Sequence, residues 1–287
     1  MKILVLGTCG MVGHTIAQYL LEKGHEVIGF ARNESHICKT IIGDASKKES
    51  IYDSIVMNDF DVVVNCIGIL NSRVDDNLGT GIYINSYLPH YLAECCNKAG
   101  SRLIHISTDC VFAGKQGNYT EDSIPDEKSF YGRTKYLGEV TSDNCLTFRT
   151  SIIGPEIKEN GIGLFHWFMM QDDYVNGYTN VYWSGVTTIQ LAAAIECASM
   201  EKIDGLYHLS NNEKISKCEL LRLFNKYCRK NEIEIREKEV ERSDKSIICT
   251  RKDFSYKVPN YEEMIREMAV WIENHKEIYS QYLGRLV

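Results

Sequence analysis

The stretch from Lys2 to Leu21 limits the possible folds more than any other. A short apolar run, Lys2-Ile3-Leu4-Val5-Leu6, leads into Gly7-Thr8-Cys9-Gly10-Met11-Val12-Gly13, and Ile16, Ala17, Leu20 and Leu21 then recur at helical spacing. A strand that passes through a glycine turn into a helix opens a βαβ unit, whose crossover is right-handed. Glycine lets the backbone approach a pyrophosphate, and the positive end of the following helix favours that anion. The spacing here is G-x-x-G-x-x-G rather than G-x-G-x-x-G, so the turn alone is a weak signal.

The rhythm continues. Val27-Ile28-Gly29-Phe30, Thr40-Ile41-Ile42, Asp61–Asn65, the apolar run around Leu103, Ile104 and Ile106, and Leu146–Arg149 read as further strands. Helices are predicted near 12–23, 46–57 and 81–99, and the polar stretch Asn71–Thr80 reads as a loop. This alternation predicts an α/β fold: a doubly wound parallel (Rossmann-type) sheet with a smaller C-terminal substrate lobe. The dinucleotide-binding domain is expected over 1–151, with later returns near 186–210, and 152–287 mainly forms the substrate lobe. Residues 152–184 break the rhythm and hold Phe165, Trp167, Phe168, Met169, Met170, Tyr174, Tyr178 and Trp183. They suit a substrate lobe, a second core or an oligomer interface equally. Ser216 and Glu219 predict a capping box for a helix over 217–229, and Asn260 an N-cap for the last helix.

Chemistry concentrates between 105 and 139. A buried strand ends on Ser107, Thr108 and Asp109, and Tyr131-Gly132-Arg133-Thr134-Lys135 follows in a helical context. Residues four apart share a helix face, so Tyr131 and Lys135 project together. A phenol, an ammonium and a strand-end hydroxyl can then meet at one carbonyl oxygen. A cation beside the phenol would lower its pKa from the usual value of about 10.

With these residues in view, the chain resembles the extended short-chain dehydrogenase/reductase superfamily. It is similar more narrowly to the dTDP-4-dehydrorhamnose reductase family, through STDCVFAG (107–114), YGRTKYLGE (131–139), FRTS (148–151), GVTT (185–188) and GLYHLS (205–210). The resemblance implies NADPH-dependent reduction of the 4-keto group of a nucleotide-linked 6-deoxy sugar. Thr108, Tyr131 and Lys135 would be catalytic. Gly7, Cys9, Gly10, Met11, Val12, Gly13, Arg32, Asp44, Ala45, Cys66, Ile67, Gly68 and Asn85, with Tyr131 and Lys135, would line the cofactor. Asp44 would meet the adenine amino group. Asn85 would support the lysine-bearing helix, in a structural or a catalytic role. Arg32, just after the second strand, suits a 2′-phosphate and hence NADP(H), with NAD(H) the alternative; a solvated surface arginine is the plainer reading. Ile67 replaces a smaller residue expected beside the cofactor, and Ile152 an aromatic one near the substrate. Rival readings are an epimerase or dehydratase of the same superfamily, or a non-catalytic NADP-binding regulatory subunit. Dehydratases of this type carry Thr-Asp-Glu where this chain has Thr108-Asp109-Cys110.

Composition narrows the partners. A net charge of −7 without a Lys/Arg block argues against nucleic acid. No apolar run approaches the ~18 residues a membrane span requires, and no leader is expected. The eleven cysteines are scattered without zinc spacing, which suits reduced thiols in a cytoplasmic, metal-free protein. A homodimer is one assembly that the sequence allows without giving the oligomeric state.

Overall fold

The computed structural model describes residues 1–285, with Ser72 described by its backbone alone. In its first half the chain forms β1 (Lys2–Leu6), α1 (Met11–Glu22), β2 (Glu26–Ala31), β3 (Thr40–Ile42), α2 (Lys48–Val56), β4 (Val62–Asn65), α3 (Ser72–Asp76), α4 (Leu78–Ile82), a π-helical turn (Tyr83–Tyr87), α5 (Leu88–Ala99) and β5 (Arg102–Thr108). Then come α6 (Phe130–Leu137), β6 (Cys145–Thr150), β7 (Ile152–Ile153), α7 (Leu164–Met169), β8 (Tyr174–Tyr178), β9 (Val181–Trp183), β10 (Val186–Thr187) and α8 (Thr188–Glu201). The chain closes with β11 (Gly205–His208), β12 (Ile215–Ser216), α9 (Lys217–Cys228), β13 (Glu234–Lys238), β14 (Ser243–Asp244) and α10 (Tyr261–Asn274).

Seven strands build one sheet in the order β11-β6-β5-β4-β1-β2-β3, with every neighbouring pair parallel. The first strand explains why such strands read as unbroken apolar runs. Ile3 and Val5 face one core with Ile16, Leu20 and Ala194, while Leu4 and Leu6 face the other with Ile51, Ile55, Leu88 and Leu92. Helices α1 and α8 pack together on the first face and α2 and α5 on the second, so both faces are covered. Strand order reverses between β1 and β4. In open sheets of this kind, ligands bind outside the carboxyl ends of the strands at that point.

Strand β11 returns to the sheet edge beside β6, with Gly205 opposite Leu146 and His208 opposite Arg149. The aromatic-rich stretch divides by burial. Phe165, Phe168, Met169 and Trp183 fill the larger core together with Phe224, Met264 and Met268, whereas Trp167, Tyr174 and Tyr178 lie outside it. Helix α9 begins with the reciprocal Ser216–Glu219 capping box, and the Asn260 side chain accepts from the Glu263 N–H at the start of α10. Among the described residues no helix is long and apolar enough to cross a membrane.

Two expectations need correction. Asn71–Thr80 is largely helical: Asn77 caps α4 through the Thr80 N–H at 3.0 Å, and a Cβ on Gly81 would come within 2.6 Å of Val74, so the two short turns pack tightly. The helix expected over 81–99 is interrupted by the π-helical turn, which carries Asn85. Such turns often mark functional sites.

Candidate active site

The glycine turn has the shape required to receive a phosphate. Gly7 adopts φ +90°, donates its N–H to Phe30 O at 2.8 Å and accepts from the Gly10 N–H at 3.0 Å. A Cβ on Gly13 would fall 2.2 Å from the Gly7 carbonyl oxygen, so α1 can approach the turn this closely only with glycine there. Gly10 is the N-cap of α1 and offers no capping side chain, which leaves first-turn N–H groups of Met11 and Val12 for a ligand.

The other proposed cofactor residues follow β2, β3 and β4 or lie on the π-helical turn. The Cys9 thiol reaches the Asn33 carbonyl at 3.7 Å, linking the turn to the segment after β2, where Arg32 is exposed. Asp44 accepts from the Ser46 N–H at 2.9 Å; that bond, with a smaller contribution from Arg32, holds its carboxyl below the usual range. Ala45 beside it is buried. After β4, the Cys66 N–H bonds to Leu6 O at 3.1 Å and Ile67 N–H to Asn65 Oδ1 at 3.1 Å. Ile67 Cγ1 lies 3.2 Å from where a Gly7 Cβ would stand, so the bulkier residue closes directly on the glycine turn. Burial pushes the Cys66 thiol far up, and it stays protonated.

Fully buried Asn85 grips the backbone of Ile69 at both ends, accepting from its N–H and donating to its carbonyl, each at 2.8 Å. It also donates to Thr134 Oγ1 at 3.3 Å, and Ser86 Oγ donates to the Thr134 carbonyl at 2.8 Å. The π-helical turn thus joins the Gly68 segment to the helix bearing Tyr131 and Lys135.

That helix, α6, is capped by Ser129 and pressed onto the end of β5; a Cβ on Gly132 would meet Cys110 O at 2.4 Å. The Tyr131 phenol thereby comes near Thr108, Asp109 and Cys110. Thr108 Oγ1 accepts from the Cys110 N–H at 3.1 Å and donates to Asp109 Oδ1 at 3.3 Å. Lys135 is 6% exposed and its ammonium donates to Ile106 O at 2.7 Å. Burial lowers its pKa to about 8 against the pull of Glu139. The expected depression of the Tyr131 pKa is absent. Burial raises it, Cys110 and Asp109 add to the rise, and the Lys135 ammonium is directed at the strand carbonyl instead.

Two groups of neighbours escape the sequence reading. Arg149, fully buried, forms a two-pronged pair with Glu139 at 2.8 and 2.6 Å, and contacts His208 Nε2 at 2.9 Å. Ser107 Oγ donates to the same Glu139 carboxylate at 2.7 Å. This network occupies a carboxylate just beyond the end of α6, near enough to Lys135 to pull on its ammonium. The i, i+4 spacing of Lys135 and Glu139 is the one hint of it in the sequence. From the C-terminal half, Lys217 and Lys245 face Asp109 and Cys110. Lys245 pairs with Glu127 at 3.0 Å. The Lys217 ammonium lies 5.8 Å from the Trp183 ring centre and, among the described residues, has no hydrogen-bond or ion-pair partner; burial lowers its pKa. Burial likewise raises Asp109, with both lysines opposing.

A reversing parallel sheet, a glycine turn on its first crossover and a helix bearing Tyr131 and Lys135 packed onto the end of β5 are the features of an extended short-chain dehydrogenase/reductase architecture. The profile of the RmlD substrate binding domain family matches residues 1–269, and the chain belongs to that family. It is similar to spore coat polysaccharide biosynthesis protein SpsK of Bacillus subtilis (strain 168), at 27% identity over 74% of each chain. It is also similar to methionine adenosyltransferase 2 subunit beta of Xenopus laevis, at 23% identity over 76% of this chain and 70% of that one. The crystal structure of dTDP-4-dehydrorhamnose reductase from Bacillus anthracis str. Ames in complex with NADP superposes with a TM-score of 0.80 at 18% identity, covering 94% of this chain and 99% of the other.

Proposed function

We propose that the protein is an NADPH-dependent reductase acting on the 4-keto group of a nucleotide-linked 6-deoxy sugar. The observation that carries this reading is the packing of α6, which bears Tyr131 and Lys135 one turn apart, onto the end of β5 that bears Thr108. The NADP held by the Bacillus anthracis reductase supports the cofactor, and Arg32 favours NADPH over NADH. When bound, the nicotinamide supplies the hydride. Tyr131, kept protonated by burial, donates its proton to the developing alkoxide. Thr108 shares the hydrogen bonding of that oxygen, and Lys135 holds the nicotinamide ribose. Lys217 and Lys245 place positive charge on the substrate side of an otherwise acidic protein, which suits an anionic sugar nucleotide.

The same site argues against a dehydratase. At the position of that enzyme's second carboxylate stands Cys110, whose thiol burial pushes up to about 12, so it is neutral at working pH. The test is NADPH oxidation by the purified protein with a dTDP- or UDP-linked 4-keto-6-deoxy sugar. Tyr131→Phe should lower turnover by roughly 10²–10⁴-fold while NADPH binding persists. Parent-like turnover in Tyr131→Phe would remove the catalytic assignment. Formation of a 4-keto product from dTDP- or UDP-glucose without net change in reduced cofactor would replace the reductase by a dehydratase. The similarity to methionine adenosyltransferase 2 subunit beta supports a second reading, a regulatory NADP-binding subunit. It predicts NADPH binding without turnover of any sugar nucleotide.

A further inference from the structure

Beyond α10 the chain turns back and inserts Tyr279 and Tyr282, both fully buried, into the larger core. Their hydroxyls bond to His14 of α1 and to the segment between Glu156 and His166, respectively. Trp271 Nε1–H donates to Tyr279 Oη at 3.0 Å, and Tyr279 Oη lies 2.9 Å from His14 Nε2. On its other side His14 Nδ1 is 2.9 Å from Gly10 O, a carbonyl that also accepts the His14 backbone N–H at 3.1 Å. A carbonyl cannot donate, so the Nδ1 proton goes to Gly10 O, and Nε2 accepts from Tyr279 O–H. Tyr282 does the matching work on the facing loop. The Glu156 N–H donates to its oxygen at 3.0 Å, and its own proton goes to His166 Nδ1 at 2.8 Å, because His166 Nε2–H is committed to Glu159 O at 3.0 Å. The loop held this way lies over the turn: a Cβ on Gly163 would be 3.3 Å from Met11 Sδ.

The consequence follows from the planarity of the peptide. Gly10 O and Met11 N–H belong to one rigid unit, pointing in opposite directions. Pinning the oxygen towards His14 aims the N–H outward from the first turn of α1, where a phosphate oxygen would accept it. We propose that Tyr279, acting through His14, is a positioning residue for the diphosphate of a dinucleotide, and that the 279–282 segment and the cofactor stabilise each other. The inference rests on the reading of the glycine turn as a dinucleotide site. It adds that residues from the far end of the chain set the orientation of one of its donors.

The test is Tyr279→Phe, which keeps the ring and removes the hydroxyl. Dissociation constants are measured by titration for NADPH and for adenosine 2′-monophosphate, which lacks the diphosphate. Loss of one aligned hydrogen bond should raise the NADPH constant about 3- to 10-fold and leave that of the monophosphate unchanged. Equal weakening of both ligands, or no change in either, overturns the proposal. Reciprocal coupling supplies a measurement on the unaltered protein, should the variant fail to fold. NADPH should slow amide hydrogen exchange across 278–282, and unchanged exchange there on saturation overturns the coupling. If the parent binds neither NADPH nor NADH, the dinucleotide reading falls first and this inference with it. Normal parent binding with an indifferent variant removes the inference alone.

Discussion

Lys135→Met should make the protein more stable while disabling the site. The Lys135 ammonium is buried, and burial lowers its pKa from 10.5 to about 8. A base with a depressed folded-state pKa costs stability wherever it is charged in both states, which here means below pH 8. Between about 8 and 10.5 the unfolded chain binds a proton that the folded one has released, so the cost fades as pH rises. A depression of this size corresponds to about 3 kcal/mol at pH 7 and about 2 kcal/mol at pH 9. Methionine fills a similar volume without a charge, so the variant should exceed the parent by about those amounts. The raw pH profile of either protein hides the effect. Buried Cys96 and half-buried Cys66 and Cys110 have raised pKa values, and they make stability fall with pH in the same range. Those terms cancel in the difference. Urea unfolding of parent and variant in parallel at pH 7 and pH 9 therefore isolates the lysine. A parent at least as stable as the variant at pH 7, or a gap that stays constant between the two pH values, refutes the reasoning.

Arg32→Ala should raise the NADPH dissociation constant by about 10- to 100-fold, the scale of lost charge-assisted hydrogen bonds, with little change for NADH; fluorescence titration of both cofactors checks this, and equal shifts contradict the 2′-phosphate role. Lys217→Met should raise the Michaelis constant for the sugar nucleotide about tenfold or more, as removal of a charged contact does, with NADPH affinity intact and partial recovery in Lys217→Arg. An unchanged Michaelis constant would place Lys217 outside the substrate site.

What is legible in a chain like this follows the range of the interactions involved. The strands of the central sheet are buried on both faces, so Leu4 and Ile3 are equally apolar and the run announces itself without reference to any partner. The glycine turn and the Tyr131–Lys135 pair are also local, fixed by the spacing of residues on one turn or one helix face. The 71–80 segment misleads because its helices depend on a cap at Asn77 and on close packing of Gly81 against Val74, neither of which produces an apolar period. The direction of the Tyr131 pKa shift is illegible for another reason. Spacing places a cation on the correct helix face, yet it does not reveal that Ile106 O will claim that cation or that desolvation will govern the phenol. Lys217 and Tyr279 lie further still from sequence logic, since the neighbours of each are distant in the chain, 265 residues away for Tyr279 and His14. The motifs are local and readable, whereas the C-terminal residues packed against them, such as Lys217, Lys245 and Tyr279, are set by the fold as a whole.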